Sequence, residues 1–339
     1  MISVGIIGGS GYTGKKLIRL CNSHPKISTY KVYGASSAGE TVYSLFPEYA
    51  GVTENKTIES VNNIDLNLDV YFIALPHGEA LKFAPQLLEN GKKVIDLGGD
   101  YRLDSEELYS KWYKLQHTSV DLLKSKLYGL ADFLPQEAYK NVNLVANPGC
   151  YPTATLLSLL PLASNFSEKI LTVSTIAYSG TSGAGKSPKT ENLLSEMFGN
   201  AKAYNVNKHR HQPEILQCLN KNGFDSPFSF TTHLLPVAVG IHATSSVHLK
   251  ESVNAEKILD VYKAAYDGSK FVRLREVPPQ LNWVTGTNFC DINVSVEGTT
   301  VIITSVIDNL VKGAAGQAVQ NLNKLYGWDE ELGLKCKEA

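Results

Sequence analysis

The glycine-rich turn Gly9-Ser10-Gly11-Tyr12-Thr13-Gly14 constrains the fold of this chain more than any other feature. It follows a continuous apolar run at residues 2–7, typical of a buried parallel strand, and it opens a helical pattern at about Lys15–Cys21. In dinucleotide-binding domains such glycines let a pyrophosphate approach a helix N-terminus. A GxGxxG pattern alone is weak, so its place directly after a strand carries the prediction, and a purely structural turn is the alternative.

Further strand and helix patterns alternate through the first half of the chain, which indicates βαβ units and a parallel sheet. A helix is expected at 79–88, between two of these strands. The strands are expected at 30–35, 70–75, 94–97 and 144–146.

Beyond residue 150 the pattern changes to longer alternating runs, at 170–178, 228–235, 243–249, 292–297 and 300–307. These predict a largely antiparallel sheet with helices on one face. The Gly- and Ala-rich helical stretch Gly313–Tyr326 is expected to pack closely on the sheet of the first domain. The fold class is therefore α/β: a Rossmann-type dinucleotide-binding domain at 1–147 and 312–339, and an α+β domain at 148–311.

The composition excludes two classes of partner. The 339 residues include 32 basic and 33 acidic ones, well mixed, with a net charge of −1, so no nucleic-acid or membrane-surface footprint is expected. No apolar run approaches the length that spans a bilayer, and the first residues are typical of a strand rather than a signal peptide. The five cysteines are odd in number and far apart, which fits a reducing cytoplasm.

Cys150 is the candidate nucleophile. It follows the turn Asn147-Pro148-Gly149 and precedes an apolar helical run at Ala154–Leu160. A helix N-terminus carries partial positive charge, which favours the reactive thiolate over the thiol. The alternative is a small buried residue used for packing.

The segment His209-Arg210-His211-Gln212-Pro213-Glu214 is the candidate acid/base group. Pro213 suits the first turn of a helix that runs to about Leu219. Histidine is matched to proton transfer near neutral pH, and a carboxylate such as Glu214 can orient it. His211 is preferred and His209 is the second choice. A metal site on the same residues lacks further Cys or His support, so no metal is predicted, and a polar helix start is the remaining alternative.

The end of the second strand bears on cofactor choice. NAD-specific domains usually place a carboxylate there to read the adenosine ribose. Here Ser36 and Ser37 occupy the position and the first carboxylate is Glu40. We therefore expect NADP, whose 2′-phosphate a carboxylate would repel; a simple serine turn is the alternative.

Two further motifs follow strands. Gly180–Ser187 fits the Walker A pattern, but Pro188 disfavours the helix that a P-loop needs, so a loop contacting a ligand is the better interpretation. Arg102 lies at a strand end where ligands bind in doubly wound sheets, and its guanidinium suits phosphate or carboxylate. A surface salt bridge, with Asp104 for example, is the alternative.

Taken together, these motifs resemble the N-acetyl-gamma-glutamyl-phosphate reductases of the semialdehyde dehydrogenase group, over essentially the whole chain. One departure is Gly98-Gly99-Asp100-Tyr101-Arg102, where relatives often show a Ser-Ala-Asp-Phe-Arg type of run; Arg102 is retained. The resemblance rests on Gly8–Gly14, Ala35–Ser37, Leu75-Pro76-His77-Gly78, Asp96–Arg102, Asn147–Thr153, Ser179–Gly185, His209–Ile215 and Asp308–Gln317.

The resemblance implies an NADPH-dependent homodimer or homotetramer whose second domain is catalytic and mediates dimerisation. The substrate it implies is a small acyl phosphate, attacked by Cys150 to give a thioester that hydride then reduces. Arg102 and Asn147 would bind the departing phosphate. The cofactor would be held by Gly9 to Gly14, Ser36, Ser37, Pro76, Ser179, Gly180, Gly183 and Asn309.

Two alternative functions remain at this point. One is reduction of a carrier-bound aminoadipyl phosphate in lysine synthesis, on the same scaffold; a basic groove for an acidic carrier would favour it, and no such charge concentration is seen. The other is a nicotinamide-binding redox sensor that uses Cys150 without turnover. Such a sensor needs no proton donor, so the histidine segment argues against it.

Overall fold

The computed structural model describes residues 1–334, and within that range the chain forms two compact units. The first runs from Met1 to Gly149 and takes up the chain again at Ala314, whereas the second runs from Cys150 to Gly313. The predicted domain boundaries, after residues 147 and 311, lie just before these crossings. Residues 335–339, which the predicted first domain includes and which contain Cys336, lie outside the described residues.

Seven parallel strands form the sheet of the first unit. They are β1 (Ile2–Ile7), β2 (Ile27–Gly34), β3 (Ile58–Ser60), β4 (Val70–Ile73), β5 (Lys93–Asp96), β6 (Leu127–Tyr128) and β7 (Leu144–Ala146). Their order is β3-β2-β1-β4-β5-β7-β6, so the winding reverses between β1 and β4. Ligands of doubly wound sheets bind at such a switch point. Strands β1, β4, β5 and β7 are almost wholly buried, as expected for parallel strands covered on both faces.

The helices of the first unit cover this sheet. The longest, α1, buries Gly14, Leu17, Ile18 and Cys21, which form the single apolar stripe of an amphipathic helix. The helices are α1 (Tyr12–Ser23), α2 (Val42–Leu45), α3 (Ala80–Glu89), α4 (Glu106–Tyr113), α5 (Leu122–Ser125) and, after the second unit, α10 (Gly316–Leu325).

Helix α10 packs against α1 and β5, within the first unit. The predicted single helix at Gly313–Tyr326 is divided in the structure, because a π-helical turn at Val311–Ala315 precedes α10. Only the first part of the stretch is built from small residues. The rest of α10 buries polar side chains, and Asn321, for example, donates to the carbonyl of Gly129 at 2.9 Å.

The second unit contains a mixed sheet of seven strands. They are β8 (Ile170–Ser179), β9 (Lys202–Tyr204), β10 (Phe228–Leu234), β11 (Ile241–Leu249), β12 (Val272–Leu274), β13 (Cys290–Glu297) and β14 (Thr300–Ile307), in the order β12-β13-β14-β11-β8-β10-β9. Four pairings are antiparallel, whereas β8–β10 and β12–β13 are parallel. The predicted largely antiparallel sheet thus needs this refinement. Alternation along a strand reports its burial and not the direction of its neighbour.

One face of this sheet is covered by helices, as predicted. The α-helices of the second unit are α6 (Cys150–Phe166), α7 (Leu194–Met197), α8 (His211–Lys221) and α9 (Ala255–Ala265). Helix α6 packs on β8, β11 and β14, and both α8 and α9 pack against α6. In residues 1–334, no helix has the length and apolarity needed to cross a membrane.

Candidate active site

The glycines of the turn after β1 have different tasks. A Cβ atom on Gly9 would lie 2.1 Å from Cγ1 of Val32, and one on Gly14 would lie 2.3 Å from the Gly8 carbonyl oxygen, so both keep the turn closely packed. A Cβ atom on Gly11 would meet nothing nearer than 3.9 Å. Gly11 is also the N-cap residue of α1, so no side chain at this position caps the helix. The start of α1 thus has no side-chain cap and has room at Gly11, which fits a pyrophosphate.

Ser36 and Ser37 lie just beyond β2 in contrasting environments. Ser36 is exposed, whereas Ser37 is only 4% exposed and packs toward Gly34. The hydroxyl of Ser37 has no hydrogen-bond partner, although buried hydroxyl groups are ordinarily paired. A ligand oxygen at this strand end would satisfy it, and the preference for NADP stays a prediction.

The loop that contains Pro76 is held by Asp100, a residue to which the sequence analysis gave no role. The fully buried carboxylate of Asp100 accepts the backbone N–H of Gly78 at 2.7 Å and that of Ala80 at 3.0 Å. It also accepts the hydroxyl of Tyr109 at 2.8 Å. Asp100 thereby fixes the start of α3 next to the β4 strand end.

Arg102 and Asn147 are anchored inside the first unit. The buried guanidinium of Arg102 donates to the carbonyl oxygens of Asn147 at 2.9 Å and Leu97 at 2.8 Å. The side-chain amide of Asn147 donates to the carbonyl of Ala314 at 3.2 Å and accepts from Asn321 at 2.9 Å. Both residues thus hold the strand ends that precede Cys150 in the chain. Phosphate binding by this pair stays a prediction.

Cys150 is the first residue of α6, and it is half-buried. The helix begins there rather than at Ala154, so the side chain lies directly at the N-terminus of a 17-residue helix. The partial positive charge of that terminus stabilises a thiolate. None of the cysteines described, at positions 21, 150, 218 and 290, forms a disulfide.

An aromatic cluster surrounds the residue after the cysteine. The ring of Tyr151 lies edge-on to His209 and His211, with centroids 5.2 and 6.0 Å away, and its hydroxyl lies 2.9 Å from that of Tyr204. Burial raises the pKa of Tyr151 far above its usual range and that of Tyr204 to about 12, so both phenols are neutral at pH 7. The cluster places His211 beside the start of α6.

The two histidines have different environments. Helix α8 begins at His211, two residues before Pro213, so the fully buried Glu214 lies on the same helix face as His211. Nδ1 of His209 accepts the backbone N–H of His211 at 3.2 Å. Burial and the nearby Arg210 lower the pKa of His209 to about 4. His209 is therefore a neutral helix-start residue, which favours His211 for proton transfer.

Metal-ligating geometry gives no support to the rival interpretation of this segment. Within residues 1–334 no group of three or more His, Cys, Asp or Glu side chains could hold a metal ion.

Asn309 organises the loop after β8. Its Oδ1 accepts the N–H of Gly240 at 2.7 Å and its Nδ2 donates to the hydroxyl of Ser182 at 3.0 Å. Ser179 ends β8, and Gly180 and Gly183 belong to this loop, which forms one 3₁₀ turn at Thr181–Ala184. Lys186 and Ser187 are exposed and lie outside any helix, so the segment lacks the strand-to-helix geometry of a P-loop.

Comparison with known proteins matches both units. The family model described as "Semialdehyde dehydrogenase, NAD binding domain" matches residues 3–141, and "Semialdehyde dehydrogenase, dimerisation domain" matches 150–309. A protein of Campylobacter jejuni named N-acetyl-gamma-glutamyl-phosphate reductase is 43% identical over 98% of each chain. One of the same name from Shouchella clausii is 42% identical over 99% of this chain and 98% of its own.

The chain belongs to the N-acetyl-gamma-glutamyl-phosphate reductase family of semialdehyde dehydrogenases.

The fold of this reductase family member is also that of a solved, more distant enzyme. Aspartate semialdehyde dehydrogenase II of Vibrio cholerae, solved in complex with ASA, has a TM-score of 0.74 at 19% identity, covering 96% of this chain and 98% of that one.

The Gly98-Gly99 pair, noted above as a departure from the resemblance, has a local packing reason. A Cβ atom on Gly99 would lie 2.5 Å from the ring of Tyr113, so glycine makes room for that ring.

Proposed function

We propose that this chain reduces N-acetyl-γ-glutamyl phosphate to N-acetylglutamate 5-semialdehyde and phosphate, with NADPH as reductant, in arginine biosynthesis. The observation that carries the proposal is the placement of Cys150 at the N-terminus of α6, beside a tyrosine whose ring contacts His211. A thiolate and a proton-transfer group at one helix start suit acyl transfer through sulfur.

In the first half-reaction, the Cys150 thiolate attacks the γ-carbonyl carbon of the acyl phosphate. The carbon–oxygen bond to phosphate breaks, a thioester forms on Sγ, and the departing phosphate takes up one proton. The N-terminus of α6 stabilises the thiolate before attack. Arg102 and Asn147 are the proposed contacts of the departing phosphate.

In the second half-reaction, the thioester carbon accepts a hydride and becomes a thiohemiacetal. His211 donates a proton to the oxygen that develops negative charge and takes it back as the carbon–sulfur bond breaks. The aldehyde leaves and the Cys150 thiolate is restored. Glu214, three residues along α8, orients the imidazole.

NADPH, when bound, supplies that hydride. The open space at Gly11 and the uncapped start of α1 fit its pyrophosphate, and the unpartnered hydroxyl of Ser37 with the exposed Ser36 fits its 2′-phosphate. Pro76, Ser179, Gly180, Gly183 and Asn309 are the proposed contacts at the nicotinamide end.

We further propose that the enzyme is a cytoplasmic homodimer or homotetramer. The match of residues 150–309 to a dimerisation domain supports self-association, and the four described cysteines, which form no disulfide, fit a reducing compartment. Light scattering at several protein concentrations distinguishes dimer from tetramer.

The decisive assay runs the reaction in reverse. Phosphate-dependent reduction of NADP is measured with N-acetylglutamate semialdehyde, and in parallel with aspartate semialdehyde. We expect turnover with the first substrate only, dependent on phosphate, and abolished in Cys150→Ala. The matched control is Cys218→Ala, in α8, which should keep its activity. Equal use of both aldehydes, or turnover without phosphate, would refute the proposed reaction.

A further inference from the structure

Gly313 lies directly against the proposed nucleophile. A Cβ atom at position 313 would be 2.7 Å from Cβ of Cys150 and 3.1 Å from its Cα, whereas carbon atoms in contact are normally ~3.5–4.0 Å apart. Gly313 does not have a positive φ, so the backbone itself would accept alanine. Glycine in a helical turn costs about 1 kcal/mol relative to alanine. The contact with Cys150 explains why a glycine stands here.

Asp308 fixes the turn that delivers Gly313. Its buried carboxylate accepts through Oδ1 from the N–H groups of Leu310 at 2.8 Å and Val311 at 3.0 Å, and through Oδ2 from that of Gly286 at 2.7 Å. The main-chain carbonyl of Asp308 accepts the N–H of Gly313 at 2.9 Å. This five-residue hydrogen bond is the π-helical geometry found mostly as single turns, frequently at functional sites.

The strand before this turn also contacts α6 directly, near its start. The buried hydroxyl of Ser305, in β14, donates to the carbonyl of Ala154 at 2.9 Å. Ser305 thus holds α6 near its start, and Gly313 contacts the cysteine itself. The end of β14 and the turn after it therefore pack against the start of α6 at Cys150.

We propose that Gly313, held by Asp308, is a positioning residue that sets the location and reactivity of the Cys150 side chain. The inference rests on the proposed role of Cys150 as nucleophile. An added methyl at 313 must displace Cys150 by about 1 Å to restore normal contact, and a misplacement of that size can cost ~10²-fold in rate.

The test combines Gly313→Ala with alkylation of Cys150 by iodoacetamide, followed by mass spectrometry of the labelled peptide across pH. The buried cysteines at 21, 218 and 290 serve as internal references. We expect a changed alkylation rate and a shifted pH profile for Cys150 alone. We also expect kcat to fall roughly 10- to 10²-fold, with the KM for NADPH unchanged.

Two further variants separate positioning from stability. Asp308→Asn keeps the size of the side chain but weakens the hydrogen bonds that fix the turn, and it adds no atom that clashes with Cys150. It should therefore change the rate of Cys150 alkylation less than Gly313→Ala does. Gly298→Ala is the matched control, because its φ of +58° makes alanine strained while nothing lies near the added methyl. It should lower the melting temperature and leave Cys150 alkylation unchanged.

Wild-type alkylation of Cys150 in both Gly313→Ala and Asp308→Asn would overturn the inference, as would an equal change in Gly298→Ala. The readout does not depend on turnover. If Cys150→Ala remained active, the proposed function would fail, while altered alkylation in Gly313→Ala would still establish the positioning.

Discussion

Helices α1 and α6 both begin after a turn that follows a parallel strand, yet one helix start is open and the other is enclosed. At α1 the glycine that matters, Gly11, leaves space, and no side chain caps the helix. At α6 the important glycine is Gly313. Because it has no Cβ atom, its backbone can pack directly against Cys150. The partial positive charge of a helix start is thus proposed to bind an anion of the ligand at α1 and to stabilise the Cys150 thiolate at α6.

The largest effect expected after loss of Cys150 itself concerns the histidines beside the enclosed start. His211→Asn should lower kcat by ~10²–10⁴-fold, the usual worth of a positioned acid or base. His209→Asn should lower kcat less, because the His209 imidazole is neutral and its Nδ1 already accepts a hydrogen bond from the backbone N–H of His211. Steady-state rates of both variants decide the matter, and a larger loss at His209 would reverse the assignment.

The structural role of His209 also predicts a pH dependence of stability. Its pKa is about 4 in the folded chain and ~6.5 in the unfolded chain, so the unfolded chain binds the proton first as pH falls. Stability is unaffected by this group above pH ~6.5 and falls by up to about 3 kcal/mol between there and pH ~4. Urea unfolding of wild type and His209→Gln measures it. Parallel pH curves for the two proteins would contradict the account.

The open start can be separated from its support by two alanine substitutions. Gly14→Ala forces a methyl against the Gly8 carbonyl and should cost ~1–3 kcal/mol in the free energy of unfolding. Gly11→Ala enters open space, so stability should stay while NADPH binds more weakly. Thermal unfolding and fluorescence titration with NADPH give the two readouts. A larger loss of unfolding free energy in Gly11→Ala than in Gly14→Ala would contradict the assignment of open space to Gly11 and close packing to Gly14.

The smallest effect concerns cofactor choice at the exposed Ser36. Ser36→Asp places a carboxylate where the 2′-phosphate is proposed to bind, and repulsion should weaken NADPH roughly tenfold while sparing NADH. Ser229→Asp, an exposed serine in the second unit, is the control. Equal use of NADPH and NADH by the wild-type protein would contradict the preference.

Much of the fold was predictable because its signals are local. The continuous apolar runs gave β1, β4 and β7 nearly to the residue. The first helix was expected from about Lys15, whereas α1 already starts at Tyr12, inside the glycine turn. The strands β3, β6, β9 and β12 were missed, since each has only two or three residues and none lies in a continuous apolar run like that of β7. The parallel β8–β10 pairing depends on which strands meet in space, which alternation does not encode.

Candidate site residues could be chosen from the sequence where the residue type points to a chemistry, and their roles stay predictions. Cys150 and His211 stand out by residue type and by their place at helix starts. The contact of Gly313 with Cys150 and the hydrogen bonds of Asp100 to Gly78 and Ala80 could not be predicted from the sequence. Each of these contacts joins positions far apart in the chain. The preference for His211 over His209, which stays a prediction, gains its structural support from the hydrogen bond between them.

The central claim, that Cys150 carries the acyl group, is tested most directly by mixing the enzyme with N-acetyl-γ-glutamyl phosphate in the absence of NADPH. The account predicts a burst of phosphate equal to the number of active sites, and an N-acetylglutamyl adduct that mass spectrometry locates on Cys150. An adduct on another residue, or no adduct and no phosphate release until NADPH is added, would contradict it.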